Sequence, residues 1–360
     1  MFPRSILTLI CAAVLPAAPL TTSAAAADGK ALFAANCATC HGAAGRPDPE
    51  SPVVKALGVM PANFSDVLFN SREPAADWFL VVKYGGPALG FSAVMPSFKD
   101  LFSDEQIMAV IEYIKAIVGV HDYPDGALNF FLPLRTKKAF PEDELVWKFR
   151  YGKDGSTDEF KNTFEYEKRM GRRFQGVLEL NRVAEDGDGE WEALEPGLKY
   201  VLLDDRREGM ILTLAGQVAI PLIDGEPFEL LPYLAFGKTL GEAFTFQGSA
   251  RAKLPADNVD AGSVELSGIL HWTHTPWPRS VFPGLEITGE FPLDRGNGPD
   301  RKDFVQISVT PQARIGLSRR GHVAVNLGAE LPLNDTGRFD WRGYAFLIWD
   351  FADGPFYEGW

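Results

Sequence analysis

Cys37-Ala38-Thr39-Cys40-His41 has the C-x-x-C-H spacing of a c-type haem attachment site. Two thiols on one helical turn can form thioether bonds with the two vinyl groups of a haem, and the imidazole of His41 can then reach the iron as the proximal ligand. A zinc site would need four ligands, whereas the chain has three cysteines in all. A redox-active cysteine pair that precedes a histidine by chance is the remaining alternative. We predict one covalent haem c, attached to Cys37 and Cys40 and ligated by His41.

Residues 28–120 resemble a class I cytochrome c along their whole length. In that family a methionine sulfur from a loop after the middle helices is the distal iron ligand, and Met95, in Met95-Pro96-Ser97-Phe98, matches it. Met60 and Met108 are the rival methionines. Met60 lies in a segment that resembles the family's haem-edge loop, and Met108 lies in the final helix. Because an iron with both axial positions filled has no site for a substrate, the resemblance implies an all-α electron carrier rather than an enzyme that makes bonds.

The last helix of this domain is predicted from its own signals. Ser103 and Gln106 form a capping box, and apolar residues follow at helical spacing. These residues are Ile107, Val110, Ile111, Ile114 and Val118. In the family that the domain resembles, the first and last helices cross through an aromatic contact. The resemblance implies that Phe33 and Tyr113 form that contact, as ordinary core residues.

The N-terminus has the features of a secretory signal peptide over residues 1–27. Arg4 gives a positive start, an apolar stretch runs from Ser5 to Leu20, and small residues that suit cleavage follow. We expect Cys11, which lies in the apolar stretch, to be removed with the signal. No later segment approaches the run of about 18 apolar residues that a transmembrane helix needs. The net charge of −13 argues against nucleic acid as a partner.

The pattern changes after the first domain. Pro124, Gly126 and Pro133 mark residues 121–140 as a linker, and residues 141–360 alternate between apolar and polar side chains with the period of two that is typical of β-strands. We count about twelve such segments. They start near Leu145, Thr163, Phe174, Trp191, Met210, Phe228, Ala243, Gly262, Gly284, Phe304, His322 and Trp341.

The second region is predicted to be an antiparallel barrel in the outer membrane. Membrane strands need about nine to eleven residues, and outer-membrane barrels favour even strand numbers, apolar outer faces and polar lumens. Aromatic residues cluster near strand ends, as an interfacial girdle would: Trp272, Trp277, Phe282, Trp341 and Trp349. Charged residues of both signs are predicted to face the lumen, either as neutralised pairs or as the lining of a selective pore. They are Lys148, Arg150, Glu165, Glu167, Glu179, Arg251, Lys253, Glu286, Glu290, Arg314 and Glu330.

The connections between strands differ at the two ends of the predicted barrel. Those expected outside, such as Gly152–Lys161 and Asp294–Asp303, are predicted to be long and acidic, whereas the inner turns are short and several are basic. Carboxylates concentrate divalent cations such as ferrous iron, although a solvated loop surface explains the same acidity. The acidic residues concerned are Asp186, Asp188, Glu190, Asp257, Asp260, Asp294, Asp300 and Asp303.

A cytochrome joined to a barrel resembles the cytochrome–porin fusions of iron-oxidising bacteria. The resemblance implies electron transfer at the outer membrane, with periplasmic redox proteins, membrane lipid and extracellular ferrous iron as partners. Because about twelve strands cannot enclose a class I domain, we expect the haem at the periplasmic mouth of the barrel. Two alternatives stay open. The barrel could anchor a periplasmic carrier or conduct small solutes, or the whole protein could be soluble in the periplasm, with a β-domain that docks a redox partner.

Overall fold

The computed structural model describes residues 23–154, 157–185, 188–294, 305–334 and 338–351. A helical domain comes first and a β-barrel follows it. Residues 1–22 of the predicted signal peptide lie outside the described residues, as do Asp186, Asp300 and Asp303 of the predicted outer loops.

Within the described residues, six α-helices build the helical domain. They are α1 (Ser23–Asn36), α2 (Ala38–His41), α3 (Pro52–Leu57), α4 (Val67–Arg72), α5 (Ala75–Tyr84) and α6 (Asp104–Ala116). Short 3-10 turns cover Gly86–Leu89 and Gly126–Leu128. The capping box predicted for the last helix is confirmed, because the Ser103 and Gln106 side chains each accept from the other's backbone N–H. Among the described helices, none is both long enough and apolar enough to cross a membrane.

Helices α1 and α6 cross at the centre of the helical domain. A Cβ on Gly29 would lie 2.0 Å from the carbonyl oxygen of Ala109, so the crossing requires glycine there. The rings of Phe33 and Tyr113 lie 5.3 Å apart between centroids, which confirms the predicted aromatic contact between the first and last helices. The buried core around this crossing consists of Phe33, Trp78, Val82, Phe98, Phe102, Ile107, Val110, Ile111 and Ile114.

Twelve antiparallel strands close into a barrel in which sequential strands pair and β1 pairs with β12. The strands are β1 (Glu144–Asp154), β2 (Thr157–Arg169), β3 (Phe174–Glu185), β4 (Asp188–Asp205), β5 (Met210–Pro221), β6 (Glu229–Leu240), β7 (Phe244–Pro255), β8 (Ser263–Trp272), β9 (Val281–Pro292), β10 (Gln306–Gly316), β11 (Val323–Pro332) and β12 (Trp341–Asp350). The predicted strand number is confirmed, and β3, β5 and β12 begin at the predicted residues.

Side chains alternate between the outer face and the lumen, as the period of two predicts. In β11, Leu327 is 43% exposed on the outer face, whereas Asn326 beside it is buried in the lumen. Carboxylates predicted to face the lumen are buried there, among them Glu165, Glu167, Glu179, Glu286 and Glu330.

The connection predicted as a long loop over Gly152–Lys161 is mostly strand. Strand β1 continues to Asp154 and β2 begins at Thr157. The charged side chains that suggest a solvated loop instead pair across the two strands, as Arg150 does with Glu159. The long-loop prediction was therefore wrong at this connection, and also between β3 and β4, where β4 already begins at Asp188 and includes Glu190.

The segment between the helical domain and β1 lies inside the barrel. Residues 126–143, which we call the plug, enter the lumen from the end of the barrel that carries the short turns, and they return to the same end. The carbonyl of Ala139 accepts a hydrogen bond from Thr213 of β5 at 2.7 Å, and the carbonyl of Phe131 accepts one from Gln247 of β7 at 2.7 Å. The plug's buried apolar side chains are Leu128, Phe130, Leu132, Leu134, Ala139 and Phe140.

Arg135, at the tip of the plug, is held by charged residues of the barrel wall. Its guanidinium forms an ion pair with Glu265, lies 3.9 Å from a carboxylate oxygen of Glu330, and donates to the hydroxyl of Tyr344 at 3.4 Å. Its backbone N–H donates to Glu286 at 3.1 Å. A cavity of about 250 Å³ remains between the plug and the wall. The charged lumen thus serves to bind the plug.

Candidate haem site

Cys37, Cys40 and His41 lie on a single helical turn. The N–H groups of Cys40 and His41 both donate to the carbonyl of Cys37, at 3.2 and 3.0 Å. Both cysteines are free and half-buried. Burial, helped by the neighbouring Cys40, raises the pKa of the Cys37 thiol to about 11. Redox-active C-x-x-C pairs have a lowered thiol pKa, so the shift at Cys37 is opposite in direction to theirs.

His41 is held by one hydrogen bond and one ring contact. Its Nδ1 lies 3.1 Å from the carbonyl oxygen of Ala62, which assigns the proton to Nδ1 and leaves Nε2 available for iron. Its ring stacks on Phe64 with 4.6 Å between centroids. Burial lowers the pKa of His41, although the hydrogen bond to Ala62 acts in the opposite direction. The imidazole is therefore neutral at pH 7, as a metal ligand must be.

Met95 lies in the loop between α5 and α6, and glycines allow that loop to fold closely. The N–H of Gly86 donates to the carbonyl of Met95 at 3.0 Å. A Cβ on Gly86 would lie 2.2 Å from the carbonyl oxygen of Ser92, and Gly85 has a φ of +83°. The Gly85-Gly86 pair thus lets the backbone on the two sides of the loop approach each other and fixes the position of Met95.

Of the methionines considered as the distal ligand, Met95 is the best placed. It is half-buried and packs, with Cys37 and Phe64, against the core of the helical domain. Met60 is 59% exposed, and Met108 is 37% exposed on α6. Met95 and the C-x-x-C-H motif therefore border the same core.

The residues present fit a haem. Two free thiols, an imidazole with Nε2 available and a thioether form the donor set of a c-type site. Large apolar side chains are exposed in the segments beside Ala62 and Met95, and a flat apolar ring would cover such surface. They are Val59, Met60, Phe91 and Val94.

The helical domain rests on the short-turn end of the barrel through ion pairs. Arg172, in the turn between β2 and β3, pairs with Asp122 at 2.8 Å. Arg206, after β4, pairs with Asp125 at 3.4 Å. These contacts place basic turns of the barrel against acidic residues that follow α6.

Two further turns contact the helical domain near the Met95 loop. Trp277, between β8 and β9, packs on Tyr84 at the end of α5 with 5.3 Å between ring centroids. The guanidinium of Arg320, between β10 and β11, lies 4.2 Å from the ring centroid of Phe91. Three short turns and the longer β8–β9 connection at this end of the barrel therefore contact the helical domain.

Sequence reasoning missed Ala62 and Arg320. The role of Ala62 belongs to its backbone carbonyl, which no side-chain pattern reports. Arg320 meets residues 230 and 231 positions away in the chain, so no local signal identifies it. The Gly85-Gly86 pair was the one local signal for the closely folded loop that carries Met95.

Comparison with known families decides the nature of the helical domain. Residues 24–114 match the family model described as cytochrome C oxidase, cbb3-type, subunit III. Residues 24–114 are a class I c-type cytochrome domain. Such a domain carries covalent haem and transfers electrons. The match covers the cytochrome domain and leaves the barrel outside it.

Solved outer-membrane porins and channels align with part of this cytochrome-bearing chain. NanC porin aligns with a TM-score of 0.41 at 6% identity, over 57% of this chain and 97% of its own. KdgM porin aligns with a TM-score of 0.41 at 11% identity, over 57% of this chain and 98% of the porin chain. An outer membrane channel from Pseudomonas putida F1 aligns with a TM-score of 0.44 at 13% identity, over 61% of this chain and 99% of the channel chain. No curated protein matches the chain.

Proposed function

We propose that this protein is an electron carrier of the outer membrane, in which the barrel anchors the cytochrome domain at its periplasmic mouth. The observation that carries the proposal is the docking of the cytochrome domain on one end of a barrel with an apolar outer face. In the proposal Cys37 and Cys40 attach the haem, and His41 and Met95 ligate its iron. With both axial positions filled, the haem supplies transfer of single electrons.

A band of large apolar side chains on the outer face supports a lipid environment. Leu178, Leu214, Leu285, Ile287 and Leu327 are each between 43% and 53% exposed. In water this surface would be unfavourable by about 25 cal/mol per Å². In lipid it is favourable, and a closed barrel satisfies the backbone hydrogen bonds that lipid cannot.

Aromatic pairs at both ends of the strands support the same environment. Tyr151 and Trp341 lie 5.5 Å apart between centroids near the long-loop end. Phe174 and Tyr200 lie 4.6 Å apart near the short-turn end. Outer-membrane barrels have an apolar band about 25 Å tall between two aromatic girdles, and their short turns face the periplasm. The cytochrome domain, docked on the short turns, would then lie in the periplasm and exchange electrons with redox proteins there.

The plug supports an anchor rather than a solute channel. It occupies the lumen next to the cytochrome domain and is bound to the wall by charged side chains, as Arg135 is by the half-buried Glu265. The sequence has cysteines for one c-type haem. Since that haem site lies beyond one end of the barrel, we infer that electrons are exchanged on the periplasmic side.

Intact cells provide the test. We expect the protein to sediment with the outer membrane and its haem to be reduced by a reduced periplasmic cytochrome added to spheroplasts. A reductant attached to a polymer too large to cross the outer membrane should leave the haem of intact cells oxidised. Reduction by the polymer-bound reagent would instead establish a path through the barrel. Recovery of the protein in the soluble periplasmic fraction would refute the membrane anchor.

A second candidate is electron exchange with extracellular ferrous iron. It is favoured by exposed carboxylates at the long-loop end, which include Glu190, Asp257, Asp260 and Asp294. If iron is collected there, Asp257→Asn with Asp260→Asn should slow haem reduction by iron in whole cells. The slowing should shrink at high salt, because exposed charges are screened. Reduction by a small permeant reagent should be unchanged. Equal slowing with both reductants would indicate a folding defect instead.

A further inference from the structure

Arg320 of the barrel contacts the loop that presents Met95. Its Nε donates to the carbonyl of Leu89 and its Nη2 to the carbonyl of Gly90, each at 3.4 Å. The same guanidinium lies 4.2 Å from the centroid of the Phe91 ring. A planar cation binds carbonyl oxygens at its edge and an aromatic ring at its face. One side chain thus holds three consecutive residues of the cytochrome domain.

Backbone hydrogen bonds connect these residues to Met95. The N–H of Phe91 donates to the carbonyl of Gly86 at 2.9 Å, and the N–H of Gly86 donates to the carbonyl of Met95 at 3.0 Å. The N–H of Met95 in turn donates to the carbonyl of Ser92 at 3.3 Å. A displacement of Phe91 would therefore strain or break the bonds that place Met95.

The turn that carries Arg320 is itself firmly held. The N–H of Gly321 donates to the carbonyl of Ser318 at 3.3 Å, and the N–H of Val323 donates to the hydroxyl of Ser318 at 3.0 Å. Arg314, from inside the barrel, donates to the carbonyl of Gly321 at 3.2 Å. Gly321 has a φ of +81°, a conformation that glycine adopts without strain. The barrel thus presents Arg320 from a fixed support.

We propose that Arg320 is a positioning residue for the distal haem ligand, through which the barrel holds the Met95 loop in the conformation that would offer its sulfur to the haem iron. The inference rests on the proposed role of Met95. The barrel then positions a haem ligand in addition to anchoring the cytochrome domain. Loosening this contact should weaken the sulfur–iron bond and admit competing ligands.

The test uses the full-length holoprotein in detergent and compares Arg320→Ala with Arg172→Ala. The control removes a different contact between barrel and cytochrome domain, the ion pair of Arg172 with Asp122, which lies away from the Met95 loop. We expect Arg320→Ala to weaken the sulfur-to-iron absorption band, lower the midpoint potential and bind added imidazole about tenfold more tightly, a factor that corresponds to about 1.4 kcal/mol. Arg320→Lys, which keeps the charge but loses the planar contact, should be intermediate. Arg172→Ala should match the wild type.

Two results would overturn the proposal. One is an Arg320→Ala protein with wild-type imidazole affinity, potential and absorption band. The other is an equal change in Arg172→Ala, since that would reflect general loosening of the domain contact. Met95→Ala distinguishes this failure from an error in the ligand assignment. If Met95→Ala keeps the sulfur-to-iron band, Met95 is not the ligand, and the positioning role falls with it.

Discussion

His41 and Met95 are both positioned by backbone groups. The carbonyl of Ala62 lies 3.1 Å from Nδ1 of His41, and the N–H of Gly86 donates to the carbonyl of Met95 at 3.0 Å. Neither partner is a side chain, so replacing a ligand leaves the groups around it in place. Each proposed iron-binding role can therefore be tested by a single substitution.

Covalent haem should depend on both thiols of the C-x-x-C-H motif. The combined change Cys37→Ala and Cys40→Ala removes both sulfur atoms that could form thioethers. We expect no haem-dependent peroxidase stain at the mass of the protein on a denaturing gel, with protein present by immunoblot. A persistent stain in the double variant would contradict covalent attachment at this motif.

The distal ligand should be identified by substitution at Met95. Met95→His should lower the midpoint potential and abolish the sulfur-to-iron absorption band, because a nitrogen ligand favours ferric iron more than a thioether does. Met60→His is the matched control, since Met60 is exposed in the other apolar segment. Loss of the band in Met60→His, with the band retained in Met95→His, would move the assignment to Met60.

Strands and plug differ in how far local sequence predicts them. In β11 the outer and inner environments impose a period of two on adjacent residues, so the strand is evident from its own composition. The plug mixes apolar residues with Arg135, two lysines and two prolines, and its composition is typical of a linker. Its partners are remote in the sequence. Thr213 donates to the carbonyl of Ala139, 74 residues away, and Asn326 donates to the carbonyl of Leu132, 194 residues away. Only closure of the barrel brings them together.

The same distinction holds for the haem site. The motif from Cys37 to His41 is predicted because the covalent chemistry fixes its spacing within one turn. The contact of Arg320 with Gly90 spans 230 residues and depends on docking of two domains. Local chemistry is therefore visible in the sequence, and contacts that depend on assembly are not.

Removal of the plug's charged anchor should open the lumen. Arg135→Ala leaves the half-buried Glu265 without its cation and leaves the buried Glu330 with Arg342 alone, at 3.8 Å, which should cost about 3 kcal/mol and loosen the plug tip from the wall. We expect larger and more frequent single-channel currents in planar bilayers than the wild type gives. The control is Lys253→Ala. The ion pair of Lys253 with Glu229 is exposed at the rim and should contribute less than about 1 kcal/mol to the free energy of unfolding. Unchanged currents in Arg135→Ala would show that the plug does not close the lumen.

The whole molecule has two ends of different character. The short-turn end presents Arg172, Arg206 and Arg320 to the cytochrome domain, whereas exposed carboxylates such as Asp257 and Asp260 lie at the other. The apolar belt of the barrel separates these ends. The proposed orientation in the membrane therefore follows from one asymmetry, the attachment of the cytochrome domain to the short turns.

The apolar belt should be sensitive to charge according to depth. Leu327→Arg, at the middle of β11, should lower the free energy of unfolding by about 2–4 kcal/mol if it faces the bilayer midplane. Leu333→Arg, just beyond the end of the same strand, should cost no more than about 1 kcal/mol. Urea unfolding in lipid vesicles measures the free energy of unfolding of both variants. In a separate assay, the folded wild type should change its mobility on a denaturing gel when it is heated. Equal costs at the two positions would argue against a bilayer around the barrel.

The plug enters and leaves through the same mouth of the barrel. Asp125, just before it, is paired with Arg206, and Asp143, its last residue, is paired with Arg72 at 3.3 Å. It is therefore an inserted loop and not a strand threaded through a ring. Such a loop can be added after the twelve strands have paired, and it can be withdrawn while every pairing stays intact. Because one end of the loop continues into the cytochrome domain, lifting that domain away from the barrel pulls the loop outward. We therefore expect access to the lumen to depend on how far the cytochrome domain stands from the mouth of the barrel, without any movement of the barrel itself.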